Sequence, residues 1–407
     1  MSPRSSRARA GFTLIELMIA LVTGGLVIST MYAVSSASAR HFQVQHQVAN
    51  MQSSLRFAYM QLKRDLTRAG YQATPLESLN VCTPSGLSGN ILFGGMGGWI
   101  AGISSFRNDL QPNIVDPTLN NGGMGFSHDS IAMVGNYTTS NEYPIQQDVS
   151  ASTIQLDINV TSTWHSLQTD FGWNPTTQFQ QPLVDGGLIA AAFPQGGLIR
   201  IQTTGRVRHF ATLTSPAVIA GNTVMLTFTP PLPPECQSMV KQGWVAPLNI
   251  IRYGAVMSAA GTPESDRITG GVAQLLRTEV QPDNKVLAFG ATVPTVVLDY
   301  LASFNLSFTM NAPTCGLGIT DCYGAAIGVP TNNEAVVNAN PELVRAVTVE
   351  LAVRAPSIDT GAVWPPPGTP TPQLMVMQLD RAAQNRGARV RFLRSEIFLP
   401  NIAYEGY

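Results

Sequence analysis

The stretch that decides the fold is FTLIELMIALVTGGLVISTMYAV, from Phe12 to Val34. Glu16 is its one charged residue. At about 1.5 Å per residue, an α-helix of this length reaches roughly 35 Å, which is enough to cross the hydrocarbon core of a bilayer. We therefore expect residues 12–34 to span a membrane.

Positive charge lies mainly on one side of this span. Arg4, Arg7 and Arg9 precede it, whereas Arg40 is the one Lys or Arg among the next twenty residues. Because the cytoplasmic side of a membrane helix carries the excess of Lys and Arg, this bias places the N-terminus in the cytoplasm and the bulk of the chain outside.

Two ordinary explanations compete for the same span. One is a secretory signal peptide cut after Ala37-Ser38-Ala39, although the apolar run is long for that class and the carboxylate near its start fits poorly. The other is a plain signal anchor that holds an unrelated extracytoplasmic binding or enzymatic domain.

The heptapeptide GFTLIEL, from Gly11 to Leu17, follows the short basic leader of residues 1–11. It resembles the class III signal of type IV prepilins and type II secretion pseudopilins. That resemblance implies cleavage by a prepilin peptidase after Gly11 and N-methylation of Phe12. It also implies an assembly role for Glu16, which falls at the fifth position of the mature chain.

The cost of burying a charge agrees with a special role for Glu16. A lone carboxylate in hydrocarbon costs several kcal/mol, so it is expected to have a partner. The nearest candidate is the α-amine that cleavage creates at Phe12, in the same subunit or in a neighbour. The alternative is that Glu16 extends to the cytoplasmic headgroups from near the helix end.

The apolar pattern continues as a helix after the membrane. Its stripe advances by about 3.7 residues a step, which predicts an amphipathic helix that packs on a sheet. Gly70 then supplies a helix stop, so we expect one helix over residues 12–70. The stripe comprises Val44, Val48, Met51, Leu55, Tyr59, Leu62 and Leu66.

Beyond Tyr71 the periodicity becomes that of strands. Residues 343–353 and 304–309 alternate apolar and polar side chains. Further strands are expected at residues 130–134, 153–160, 197–202, 223–228, 248–256, 272–279 and 388–399. The prediction is an α+β, pilin-like fold. Its long N-terminal helix packs on an antiparallel-sheet head at residues 71–407, with an enlarged β-rich C-terminal domain and an elaborated region over residues 80–240.

Three segments extend the resemblance to the PilW family of minor pilins: VLDYLASFNLSFTM, LVRAVTVELAVRAP and ARVRFLRSEIFLPN, together with DLTRAGY at the helix end. This implies a minor pilin that works with other minor and major pilins and with a tip adhesin. It implies residence in the inner membrane with a periplasmic head, and then in the pilus. A minor pseudopilin of type II secretion is the alternative.

Composition and cysteine content exclude some classes. The net charge of −1 offers no basic field for nucleic acid. Of the four cysteines, Cys315 and Cys322 bracket a short turn-rich loop and are the easiest to bridge, which leaves Cys82 with Cys236. An oxidising compartment favours such bridges over free thiols. No CxxC or Cys/His spacing predicts a metal site.

No catalytic or cofactor motif stands out. Ser127, His128 and Asp129 are consecutive, and adjacent residues cannot face each other as a catalytic triad must. We therefore expect a surface loop at residues 126–130. His165 and His209 have no companions at ligand spacing, so structural roles are expected for both. The sequence predicts neither an enzyme nor a cofactor.

Overall fold

The computed structural model describes residues 13–73, 103–106, 128–157, 186–205, 207–220, 223–257, 273–280, 294–310, 329–331, 334–339, 341–356, 376–378 and 387–404. The chain forms two compact units, Met1–Ser53 and Ser54–Tyr407. The fold is α+β and pilin-like, as predicted: a long apolar N-terminal helix is followed by antiparallel sheets.

Helix α1 covers Leu14–Thr67. In the first unit its large apolar side chains are exposed, from Leu14 to Phe42. Hydroxyl groups within this part donate to carbonyls three or four residues earlier, so they are satisfied inside the helix. These hydroxyls belong to Thr23, Ser29, Thr30 and Ser36.

The part of α1 in the second unit has a buried face. Its buried side chains include Leu55, Ala58, Leu62 and Leu66. Leu55, Leu62 and Leu66 belong to the predicted stripe, Ala58 lies beside its half-buried member Tyr59, and the polar positions opposite are exposed. The amphipathic prediction is confirmed, since this face packs into the head.

Gly70 ends the helical segment as expected. Its φ of +76° is accessible to glycine without steric cost, and its backbone N–H donates to the Val134 carbonyl at 2.8 Å. A Cβ at this position would lie 2.9 Å from Cγ1 of Ile402. The α-helix ends at Thr67, three residues earlier than predicted. The backbone N–H groups of Arg68, Ala69 and Tyr71 donate to carbonyls three residues earlier, and not four as in an α-helix.

Sixteen strands and four further α-helices make up the rest of the described chain. The strands are β1 Ile103–Phe106, β2 Ser130–Gly135, β3 Tyr143–Ser150, β4 Thr153–Asp157, β5 Leu198–Gln202, β6 Arg208–Leu213, β7 Val218–Ala220, β8 Thr223–Thr229, β9 Trp244–Met257, β10 Ala273–Val280, β11 Thr295–Leu298, β12 Leu301–Met310, β13 Val329–Thr331, β14 Val344–Arg354, β15 Val376–Gln378 and β16 Gly387–Phe398. The helices are α2 Gly186–Ala192, α3 Pro234–Val240, α4 Glu334–Ala339 and α5 Pro400–Tyr404, with a 3₁₀ turn at Pro341–Leu343.

Six strands of the first sheet close into a ring. Strand β9 pairs with β3, and the order then runs β4, β8, β6 and β5 before β5 pairs with β9 again. The alternate side chains Val224, Leu226 and Phe228 of β8 are buried. They join an apolar core that Ile189 and Phe193, at and after α2, also enter. The ring is therefore a small barrel filled by side chains.

The long strand β9 also belongs to an open part of the same sheet. Its residues from Asn249 onward pair with β2 on one side, and those from Ile250 onward pair with β10 on the other. Strands β1 and β11 extend this part at its two ends. One strand thus connects the barrel to the open sheet.

The second sheet has the order β13, β12, β14, β16, β15 and is antiparallel throughout. Val347, Val349 and Leu351 are buried, as predicted, whereas Thr348 and Glu350 between them are partly exposed. The Tyr59 hydroxyl of α1 lies 2.8 Å from Ser395 Oγ of β16, so this sheet also packs on the helix.

Candidate functional site at the start of the N-terminal helix

The first turn of α1 is closed by a reciprocal pair of side chains. The backbone N–H and the hydroxyl of Thr13 both donate to Oε2 of Glu16 at 2.9 Å. In return, the Glu16 backbone N–H donates to Thr13 Oγ1 at 3.3 Å. This arrangement is a capping box, which satisfies two helix N–H groups that have no partner within the helix.

The capping bonds leave part of the Glu16 carboxylate open. An ionised carboxylate has about four acceptor positions. Both bonds from Thr13 reach Oε2, and Oε1 accepts none from the residues that the structure describes. Glu16 can therefore cap its own helix and still accept from a second group.

The surface around this carboxylate is apolar and open. Leu14, Leu17 and Met18 are each more than half exposed. Helix α1 is long and apolar enough near its N-terminus to cross a membrane. Such a surface is stable in a bilayer or against other apolar helices and unfavourable in water.

Several predicted site residues fall outside the described part of the chain. Gly11 and Phe12 do so, and so do Cys82, Cys315 and Cys322. Cys236 is described: it lies buried on α3, in the barrel core, and is disulfide-bonded. The pairings Cys315–Cys322 and Cys82–Cys236 stay predictions.

A buried polar cluster anchors the end of α1 to the open sheet. The Asp65 carboxylate, 3% exposed, accepts from the Tyr253 hydroxyl of β9 at 2.7 Å and from Nε of Arg277 in β10 at 2.6 Å. The Tyr137 hydroxyl donates to the Asp65 carbonyl at 3.1 Å. This cluster was not predicted from the sequence. The available signal was a carboxylate next to Leu66 on the buried face of the helix.

The charge of Asp65 raises the pKa of both side chains that donate to its carboxylate. Burial, and then the charge of Asp65, raises the pKa of Tyr253 far above its ordinary value, so the phenol remains a hydrogen-bond donor. Burial lowers the pKa of Arg277, but Asp65 more than offsets this and the pKa of the guanidinium is raised overall. Asp65 and Arg277 thus form an ion pair that links the helix to the sheet, and the Tyr253 phenol is a further donor to the same carboxylate.

The prediction of a surface loop at residues 126–130 was wrong for its described part. His128, Asp129 and Ser130 are all buried, because Ser130 begins β2 and the two residues before it contact Phe304 of the second sheet. His209 is buried as well, and its Nε2 lies 3.1 Å from the Pro230 carbonyl, which fits the structural role expected for it. His165 lies outside the described residues.

Comparison with known proteins bears on the helix start. A family model described as a prokaryotic N-terminal methylation motif matches residues 6–32. This N-terminus is type IV pilin-like. The match includes Thr13 and Glu16, so the capping box lies inside the motif. Neither a curated protein nor a solved structure matches the chain.

A pilin-like N-terminus sets the chemistry expected of this site. It is consistent with processing by prepilin peptidase and assembly with other pilins, and the apolar helix fits membrane anchoring and incorporation into a pilus. The motif points to a structural protein and not to an enzyme. Among the described residues, no group of three His, Cys, Asp or Glu side chains is placed to hold a metal ion.

Proposed function

We propose that this pilin-like chain is a minor pilin of a type IV pilus. The peptidase cuts between Gly11 and Phe12 and methylates the new N-terminus. Before assembly the helix resides in the inner membrane, with the head in the periplasm. It then enters the filament or its priming complex at the tip, where the chain supports pilus assembly.

The observation that carries this proposal is the Glu16 carboxylate within the methylation motif. It is capped on Oε2, open on Oε1 and surrounded by an exposed apolar surface. A carboxylate kept in such a surface is costly unless a cation meets it. The methylated amine of a neighbouring subunit supplies one, at the place where a new helix must be aligned.

Head size supports a minor role over a shaft role. The described parts of residues 71–407 form two sheets, one of which closes into a barrel. Heads of this size would be crowded along an entire filament shaft, so a rare subunit is the more economical arrangement. The resemblance of the helix end and of the three C-terminal segments to the PilW family favours the same assignment.

The partners follow from this role. They are prepilin peptidase, the other minor pilins and the major pilin, with a tip adhesin as a further partner. On the surface of α1 in the second unit, Phe57 and Met60 are 64% and 69% exposed, so an apolar contact is available there to a neighbouring subunit.

Deletion of the gene tests the proposal against its alternative. Surface filaments are counted by electron microscopy, and secreted proteins in the medium are compared with those of the parent strain. A minor pilin predicts few filaments and unchanged secretion, restored by the full-length gene. A minor pseudopilin of type II secretion predicts normal filaments and lost secretion. Normal filaments together with normal secretion would contradict both assignments.

A further inference from the structure

His128 occupies an unusual position in the head. Its side chain is buried, with 2% of the residue exposed, and neither ring nitrogen has a hydrogen-bond partner among the residues that the structure describes. A buried polar group without a partner carries a desolvation cost that folded proteins rarely retain. Burial of a neutral imidazole costs far less solvation free energy than burial of a charged imidazolium, so the neutral ring is tolerated here.

The residue lies where the two sheets of the head meet. His128 forms a parallel bridge with Phe304 of β12, just before β2 begins. The next residue, Asp129, donates its backbone N–H to the Phe304 carbonyl at 2.7 Å and accepts the Leu306 N–H on Oδ2 at 2.9 Å. His128 and Asp129 thus connect the start of β2 to the edge of the second sheet.

Among the described residues, few ionisable groups lie at this joint, the contact of residues 128–129 with β12. Strands β2 and β12 contain no ionisable side chain. Asp129 is bound to β12, and Arg252 of β9 is buried and donates to Ser130 Oγ at 3.4 Å. Neither ring nitrogen of His128 bonds to the Asp129 carboxylate, whose Oδ2 accepts the Leu306 N–H, so no carboxylate among the described residues is hydrogen-bonded to the ring.

We propose that His128 makes the joint between the two sheets acid-sensitive. Protonation of the imidazole favours states in which the ring reaches water, and those states require the bridge to Phe304 and Leu306 to open. The contact between the two sheets is thus closed at neutral pH and opens more readily in acid, while the barrel core stays folded.

The direction of the effect follows from proton linkage. Burial lowers the pKa of His128 from its ordinary 6.5 to about 4. Above pH 6.5 the ring is neutral in the closed and the opened states alike, so pH has no effect. Between pH 6.5 and pH 4 only the opened state binds the proton, so opening becomes easier as pH falls. The full change in the opening equilibrium is about two orders of magnitude.

Hydrogen exchange of the full-length chain in detergent micelles tests this proposal. Protection of the Asp129 and Leu306 amides is measured from pH 7 to pH 4.5 and corrected for the intrinsic exchange rate. His128→Leu and His128→Phe remove the titrating ring, and His46→Phe alters an exposed histidine of α1 as the control. Amides of β5 in the barrel report on global unfolding.

The proposal predicts that the wild type and His46→Phe lose at least tenfold protection at Asp129 and Leu306 on acidification, whereas β5 does not. Both His128 variants should keep their protection across this range. Equal losses in the wild type and the His128 variants would assign the effect to another group, such as Asp129, and overturn the proposal. A wild type that keeps its protection at pH 4.5 would also overturn it.

Discussion

Glu16 serves two separable purposes in this account. Through Oε2 it caps its own helix, and we propose that its charge aligns a neighbouring subunit. Both would be lost in an aliphatic variant, so that change alone does not tell them apart. The Glu16→Gln variant separates the two roles, because the amide oxygen can complete the same capping box without the charge.

We therefore predict that Glu16→Gln and Glu16→Leu both reduce incorporation into sheared filaments by about tenfold, as expected for the loss of one charge-assisted bond. Processing and membrane abundance should be unchanged, since removal of the charge lowers the cost of membrane residence. Filament counts should fall with filament length preserved. Quantitative blots of the membrane and sheared fractions measure the ratio.

Thr13→Ala provides the matched control, because it removes the hydroxyl that bonds Glu16 and leaves the charge in place. It should reduce incorporation much less. If Glu16→Gln assembles normally and Glu16→Leu does not, the carboxylate acts as a cap alone and the pairing role is wrong.

The acids Glu16 and Asp65 and the buried His128 differ in how readily a sequence reveals their roles. Glu16 is conspicuous because no other charge lies within 23 apolar residues. Asp65 lies among ordinary charged neighbours, and its burial depends on Tyr253 and Arg277, which are distant in the chain. The burial of His128 depends in the same way on Phe304. Long-range contacts of this kind leave no local pattern.

At the scale of elements, the Asp65 cluster is what holds the last turn of α1 to the open sheet. Removing one member of a buried ion pair leaves the other charge without its partner. We predict that Asp65→Asn lowers the free energy of unfolding of the second unit by about 3 kcal/mol. Tyr253→Phe, which removes a single bond to the carboxylate, should cost about 1.5 kcal/mol.

Arg64→Ala is the control for this prediction. Its Nε lies 3.5 Å from Asp65 Oδ1, but the side chain is 69% exposed, so its loss should cost at most about 0.5 kcal/mol. Urea unfolding of the full-length chain, followed by tryptophan fluorescence, gives all three values. A loss for Asp65→Asn no larger than that for Arg64→Ala would contradict the anchoring role.

Strands with a regular alternation were predicted within a few residues. For β14 the buried Val347, Val349 and Leu351 gave a clear period of two, and the register with β12 and β16 keeps that face inside. Strand β3 was missed, because YPIQQDVS mixes a proline and several polar residues. Its strand conformation depends on pairing with β4 and on closing the barrel, neither of which is local.

At the scale of the whole molecule, the barrel was anticipated only as an elaborated region at residues 80–240. Closure needs β9 to pair with β3 and with β5, over separations of about a hundred and about fifty residues. A strand shared by the barrel and the open sheet gives a stable link between them. The helix and the overall class were predictable because their signals are local; the barrel was not, because it is made by pairings between distant strands.

The N-terminal peptide of the mature protein shows whether cleavage after Gly11 and methylation of Phe12 take place. Protein purified from the envelope is digested and the peptide is identified by mass spectrometry. We predict a peptide that begins at Phe12 and carries one methyl group on its α-amine. A peptide that retains Arg4, Arg7 and Arg9, or one that begins at Arg40, would contradict the account.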